Sequence, residues 1–364
     1  MYLEQFKKLF HIIENYVVYL MHDIFEGVGV FVIMNLLNQF ILKDKYFTLD
    51  ILNFKLKHFK FDSKISNRPP LITEDNLKKK KVNMSASEMK SFLLYAGILF
   101  GSLVPTGNQH WKLYVWLVKI LNIVLLVSVS EMNCKQLNFY VEQLTSLYIN
   151  LFSESLKPKF HHLLHYSYVI SKTGPPNNFS AFRYETKHRI SKLSAGVVAS
   201  RVSITKTLAI KHQLMQANRF ISKKGFINNS QICRSFAVSS KDKEFSDLKQ
   251  LFLMSNINFD FECSIILIEK IQIHNTVYET ESIILAHHES KKWFGKIYNI
   301  VLNSTSSDVY FVYYQLISTF DEHLMAYELT DSTNLKVILQ SQLDCHKTFT
   351  PIKQSNKNYL VCEY

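Results

Sequence analysis

The side chains best equipped for chemistry crowd into Leu156–Arg189, LKPKFHHLLHYSYVISKTGPPNNFSAFRYETKHR. Pro158 suits the first turn of a helix, which puts His161, His162 and His165 at i, i+1 and i+4 and two of them on one face. Gly174-Pro175-Pro176 stops that helix. A second helix is expected from about Ala181, with Glu185 and His188 one turn apart and Arg183 just upstream. One carboxylate is thus held beside a histidine and several cations. Alone, Glu185 holds a single Mg²⁺ or Mn²⁺ weakly, because such ions accept one or two protein carboxylates when phosphates supply the other ligands. His161 and His165 have metal-ligand spacing, but no Glu lies between them and no third ligand sits at a fixed offset. They read as core or hydrogen-bonded histidines ahead of a zinc site.

A second block, Leu20-Met21-His22-Asp23-Ile24-Phe25-Glu26-Gly27-Val28, places Asp23 and Glu26 at i and i+3. A solvated helix face with acids near its N-terminus accounts for them as well as a reactive pair does. Taken in order, Met-His-Asp-x-x-Glu-Gly, His-x-x-His, Gly-Pro and Arg-x-Glu-x-x-His resemble the catalytic core of En/Spm (CACTA)-type DDE transposases, members of the RNase H-like superfamily. The likeness covers roughly residues 17 to 220. It implies an RNase H-like core with a large helical insertion between the blocks, the family's last catalytic acid at Glu185, and accompanying roles for His22 and His188.

The departures bear on activity. Where the family has its second catalytic Asp, three residues before the His of Met-His, this chain has Tyr19; the first acid would lie upstream of Met1, so the chain reads as N-terminally truncated and degenerate. In-line attack on a phosphodiester uses two divalent ions roughly 3.5–4 Å apart, fixed by carboxylates. A phenol titrating near ~10 stays protonated and cannot replace one. The expectation is therefore a catalytically inactive remnant that binds no cofactor tightly and needs Mg²⁺ or Mn²⁺ only if activity survives. An active nuclease in which Asp23 or Glu26 replaces the lost acid is one alternative, and a non-enzymatic protein-interaction scaffold is another.

Composition narrows the field further. The 364 residues are 47% hydrophobic and 13% aromatic, ample for a folded core. The formal net charge of +12 favours a polyanionic partner or surface. Cys134, Cys233, Cys263, Cys345 and Cys362 form no Cys-x-x-Cys pair, which argues against a zinc ribbon or disulfide framework and for a reducing, intracellular compartment. With 9 glycines and neither a P-loop nor a Rossmann fingerprint, a nucleotide-cradling loop is not expected.

Along the chain, residues 1–16 read as an amphipathic helix, Val28–Leu42 and Leu49–Phe61 as buried helices, and Asn67–Asn83 as a linker carrying the Lys78–Lys81 run. That run is a solvated surface or, less favoured, a nuclear-import signal. Ser85-Ala86-Ser87-Glu88 fits a capping box opening a helix to about Leu99. Trp111–Ser130 is very apolar, but its uncharged run from Lys119 to Glu131 is 11 residues, short of the ~20 that cross a bilayer, so no membrane partner is expected. Cys134–Phe152 is one more amphipathic helix.

From Thr186 to Lys241 there are 56 residues without Asp or Glu and with 11 Lys or Arg. Lys187, Arg189, Lys192, Arg201, Lys206, Lys211 and Arg219 are the candidate contacts to a DNA backbone. Beyond this tract the periodicity alternates. Cys263–Ile268, Val277–Leu285, Lys296–Leu302, Val309–Ile317, His323–Leu329 and Tyr359–Tyr364 read as strands, with a hairpin loop at Thr305–Asp308. The expected class is α+β. A partial RNase H-like core (1–66) and a linker (67–84) lead to an all-helical insertion (85–170). The end of the core with a basic helical segment (171–254) follows, then a small antiparallel β domain (255–364) suited to protein partners. A DNA partner implies a nuclear protein.

Overall fold

The structure, a computed structural model, describes residues 17–62, 65, 67–198, 202–223, 230–238, 243–255, 257, 259, 261, 265–273, 276–288, 291–303, 308–343 and 345–362. The helix expected over 1–16, Arg201 and the hairpin-loop residues 305–307 lie outside them. The chain is α+β and divides into two compact units: 1–197 with 321–326 and 361–364, and 198–320 with 327–360. The expected segments 1–66, 67–84 and 85–170, and the start of 171–254, all fall within the first unit.

The first unit is built on helices α1 (Met21–Lys43), α2 (Leu49–His58), α3 (Glu74–Lys79), α4 (Ala86–Phe100), α5 (Gln109–Val124), α6 (Glu131–Phe152), α7 (Pro158–Leu164), α8 (Tyr166–Thr173) and α9 (Phe182–Val197). No strand occurs between 17 and 197 among the described residues. The expected helix Val28–Leu42 and the block before it join into one: α1 runs from the Met-His-Asp segment through Lys43, with widened turns at both ends. It is the one described helix long and apolar enough to cross a membrane, yet its central residues Val28, Val32, Ile33, Leu36 and Leu37 are fully buried against the protein. It is therefore packed as a core helix.

Local chemistry sets the starts and stops. Ser85 and Glu88 form the expected capping box on α4, and Ser130 with Asn133 forms another on α6. The linker reading of 67–83 needs correction: Thr73 and Asn76 cap each other and start α3 inside it. Three lysines of the adjacent run are ion-paired, Lys78 with Glu74, Lys79 with Asp75 and Lys80 with Glu154. Gly174 ends α8 at φ 82°, in the left-handed region that glycine tolerates.

In the second unit, α10 (Ile204–Ile221) and α11 (Lys243–Met254) accompany strands β1 (Ser230–Val238), β2 (Ile265–Ile273), β3 (Thr276–Glu279), β4 (Ile283–His288), β5 (Lys291–Leu302), β6 (Val309–Gln315), β7 (Ile317–Asp321), β8 (Ala326–Thr330), β9 (Leu335–Leu339), β10 (Cys345–Phe349), β11 (Ile352–Gln354) and β12 (Lys357–Leu360). The larger sheet is organised on β5. Its C-terminal half pairs antiparallel with β2 (Ile268 opposite Ile300) and its N-terminal half with β4 (Leu285 opposite Phe294). β6 lies along the other edge (Ile300 opposite Phe311), and β1, β3, β9 and β10 extend the sheet outward. A smaller sheet has the order β11-β12-β8-β7.

Period-two alternation gives the larger sheet two buried faces. Ile268, Ile300 and Phe311 belong to one cluster, while Leu267, Val301, Tyr310 and Val312 face Phe245, Leu248 and Phe252 of α11. Three strand expectations are corrected, two of them by turns. Glu281, at φ 69°, separates β3 from β4; Val309–Ile317 ends at Gln315; and Met325, at φ 53°, delays β8 to Ala326. The basic tract expected to be helical through 254 contains β1, whose pairing with β2 draws Ser230–Val238 into the sheet.

Candidate functional site

The two motif blocks, some 140 residues apart, meet in the first unit. The opening turns of α1 are wide, and Gly27 departs from helical geometry at φ −136°, ψ −106°. Lys159 of α7 reaches these turns: its Nζ donates to His22 O at 2.7 Å and Glu26 O at 2.9 Å. A Cβ at residue 27 would strike the Lys159 stem, so a larger residue there would displace this lysine from its contacts. His22 and Glu26, both exposed, pair at 2.7 Å through His22 Nδ1.

Asp23 points the other way and is 5% exposed. Its Oδ1 lies 2.7 Å from His162 Nδ1, and its Oδ2 accepts from Tyr166 Oη at 3.2 Å. Burial, followed by the neighbouring Asp23 charge and this hydrogen bond, pushes the Tyr166 phenol well above its ordinary range, so it stays protonated as a donor. Both carboxylate oxygens are thus committed. The arrangement fixes the His162 ring, as a buried carboxylate does in acid–base dyads, and leaves Asp23 poorly placed to ligate a metal ion. Tyr19, three residues before His22, is 59% exposed, with its ring 6.2 Å from that of His22.

Glu185 lies on α9 and lines an open cleft of about 510 Å³. Met21, Asn67, Lys90, Ser180 and Arg189 share that lining, along with Ser85 and Ser87 at the start of α4. The cleft wall thus carries one exposed carboxylate and two cations, beside the capped start of α4. His22 and His188 are not among the residues that line it. His188 is exposed on α9. No cluster of three or more His, Cys, Asp or Glu that could hold a metal ion occurs among the described residues.

The basic side chains are carried by two helices, one in each unit. Lys187, Arg189 and Lys192 are exposed on α9. Lys206, Lys211 and Arg219 are exposed on α10, a helix with no buried residue. None of the six forms an ion pair with a carboxylate among the described residues. His161 and His165 are exposed, with their Nε2 atoms 3.1 Å apart.

Sequence spacing set Glu185 beside His188 and several cations; Arg189, not His188, shares its cleft, and the burial of Asp23 was not foreseen. Asp23 finds partners only through tertiary contact. An acid within an apolar run opening the chain's most buried helix was the available signal. Comparison of the chain with protein-family models, curated proteins and solved structures finds no match to any of them.

Proposed function

We propose that this chain binds the backbone of duplex DNA through its basic helices, and that it is a degenerate descendant of an En/Spm-type DDE transposase without strand-transfer chemistry. One observation carries the binding: six exposed cations on α9 and α10, none paired with an acid among the described residues, in a tract of 56 residues that contains no Asp or Glu. Paired lysines, such as those of α3, are already neutralised locally; unpaired ones stay available to phosphates. Loss of chemistry rests on Tyr19 standing for an acid and on Asp23 being engaged by His162 and Tyr166. In this reading α1 and α7–α9 derive from helices flanking an RNase H-like core, α4–α6 from its insertion, and the protein is nuclear. The C-terminal sheets then offer a surface for protein partners.

Two assays on the full chain test it. Wild-type protein is expected to bind a labelled duplex, and the variants Lys187→Ser/Arg189→Ser/Lys192→Ser and Lys206→Ser/Lys211→Ser/Arg219→Ser each to bind at least several-fold more weakly. Supercoiled plasmid is expected to stay intact with Mg²⁺ or Mn²⁺. Undiminished binding by both triple variants would refute the role of the helices. A metal-dependent nick abolished by Glu185→Gln would refute the loss of chemistry.

A further inference from the structure

The geometry of His161 and His165 points to a second, unrelated capacity: we propose that they form a two-imidazole chelate for a borderline divalent transition ion, Zn²⁺ or Cu²⁺. Both side chains are exposed, so no desolvation of a buried site opposes binding. Their rings stand nearly perpendicular, at 81° with centroids 4.7 Å apart, and their Nε2 atoms converge to 3.1 Å. Two metal–nitrogen bonds of about 2.05 Å spanning that separation subtend an angle of about 100°, between the octahedral and tetrahedral values. Without metal, one tautomer lets the nitrogens share a proton as a hydrogen bond; with metal, both lone pairs turn to the ion.

Neighbouring contacts hold the pair in place. His165 N donates to His162 O at 3.0 Å at the end of α7, while His162 itself is turned to Asp23 and takes no part. Phe160 and Leu163, buried on the opposite side of α7, anchor the helix so that His161 faces outward. With two protein ligands, the remaining positions go to water or to a donor from a partner. Imidazole nitrogen selects Cu²⁺ and Zn²⁺ over Mg²⁺ and Ca²⁺, which prefer oxygen. This site is separate from the weak Mg²⁺ or Mn²⁺ position at Glu185 and does not depend on DNA binding.

Untagged full-length protein should be titrated with Zn²⁺ in competition with a chromophoric chelator, and its Cu²⁺ adduct examined by electron paramagnetic resonance. The expected result is one site per chain, weakened at least tenfold by either His161→Ala or His165→Ala and unchanged by His58→Ala, a control at another exposed histidine. Excess Mg²⁺ should not displace the ion. The copper spectrum should show coupling to two imidazole nitrogens, which reads the site in the wild type without relying on a variant's folding. Equal Zn²⁺ affinity in wild type and both alanine variants, or coupling to a single nitrogen, would overturn the assignment.

Discussion

Tyr166 donates to a carboxylate that has almost no access to water, so losing its hydroxyl costs more than an average hydrogen bond. Tyr166→Phe is expected to lower unfolding free energy by roughly 1.5–3 kcal/mol at neutral pH, the range for hydrogen bonds to charged groups. Equilibrium urea denaturation checks it. The same contact gives the sign of the alkaline response. Burial keeps the folded phenol protonated where the unfolded one, with a value near ~10, has ionised. Above that value the folded state binds more protons than the unfolded state, so stability falls as pH rises. The decline between pH 9 and 11 should be shallower in Tyr166→Phe than in wild type; an identical slope would show that Tyr166 ionises as freely in the fold as out of it. These partners were not legible in the sequence, because Asp23 lies 139 residues from His162 and 143 from Tyr166. Helical spacing reports neighbours at i+3 and i+4 only, and it set Asp23 beside Glu26 on a solvated face without foreseeing the pair His22 makes with Glu26.

Helices α4 and α5 close on the segment 321–326 within the first unit. Gly97 N donates to Tyr114 Oη at 2.8 Å, Trp111 Nε1 donates to His323 O at 2.8 Å, and His323 Nε2 lies 2.9 Å from Gly101 O. A Cβ at Gly97 would overlap the backbone carbonyl of Leu324, and a peptide oxygen held in this way cannot swing aside as a flexible side chain can. Gly97→Ala is therefore expected to cost about 1–3 kcal/mol by overpacking, visible as a lower denaturation midpoint. An unchanged midpoint would mean that the segment does not hold this close approach in solution. The helices themselves were readable in advance because their signals are local: Ser85 and Glu88 announce α4, Pro158 opens α7, and Gly174 stops α8. Strand β1 was missed because charge dominated the reading of its tract. Its identity depends on pairing with β2, across a register that shifts at Ile232 and Arg234. Strands β9, β10 and β11 are short and only partly buried, so alternation over three to five residues carried little signal.

At the scale of the molecule, the charge balance of +12 is unevenly distributed. The acids of α3 neutralise neighbouring lysines, whereas α9 and α10 expose theirs. The sequence made this asymmetry plain, since the absence of acids is a matter of composition, although it could not tell that α10 would bury none of its residues. The central claim is that these helices lie along phosphates and release counterions when they do. The most direct test is fluorescence anisotropy of duplex binding across a salt series, with wild type compared to the α9 and α10 triple-serine variants. If all six cations engage, log affinity should fall with log salt at a slope of about −5, at ~0.9 per phosphate. Each triple variant should flatten it by about 2–3. Equal slopes in all three proteins would contradict the account and leave both helices as solvated surface.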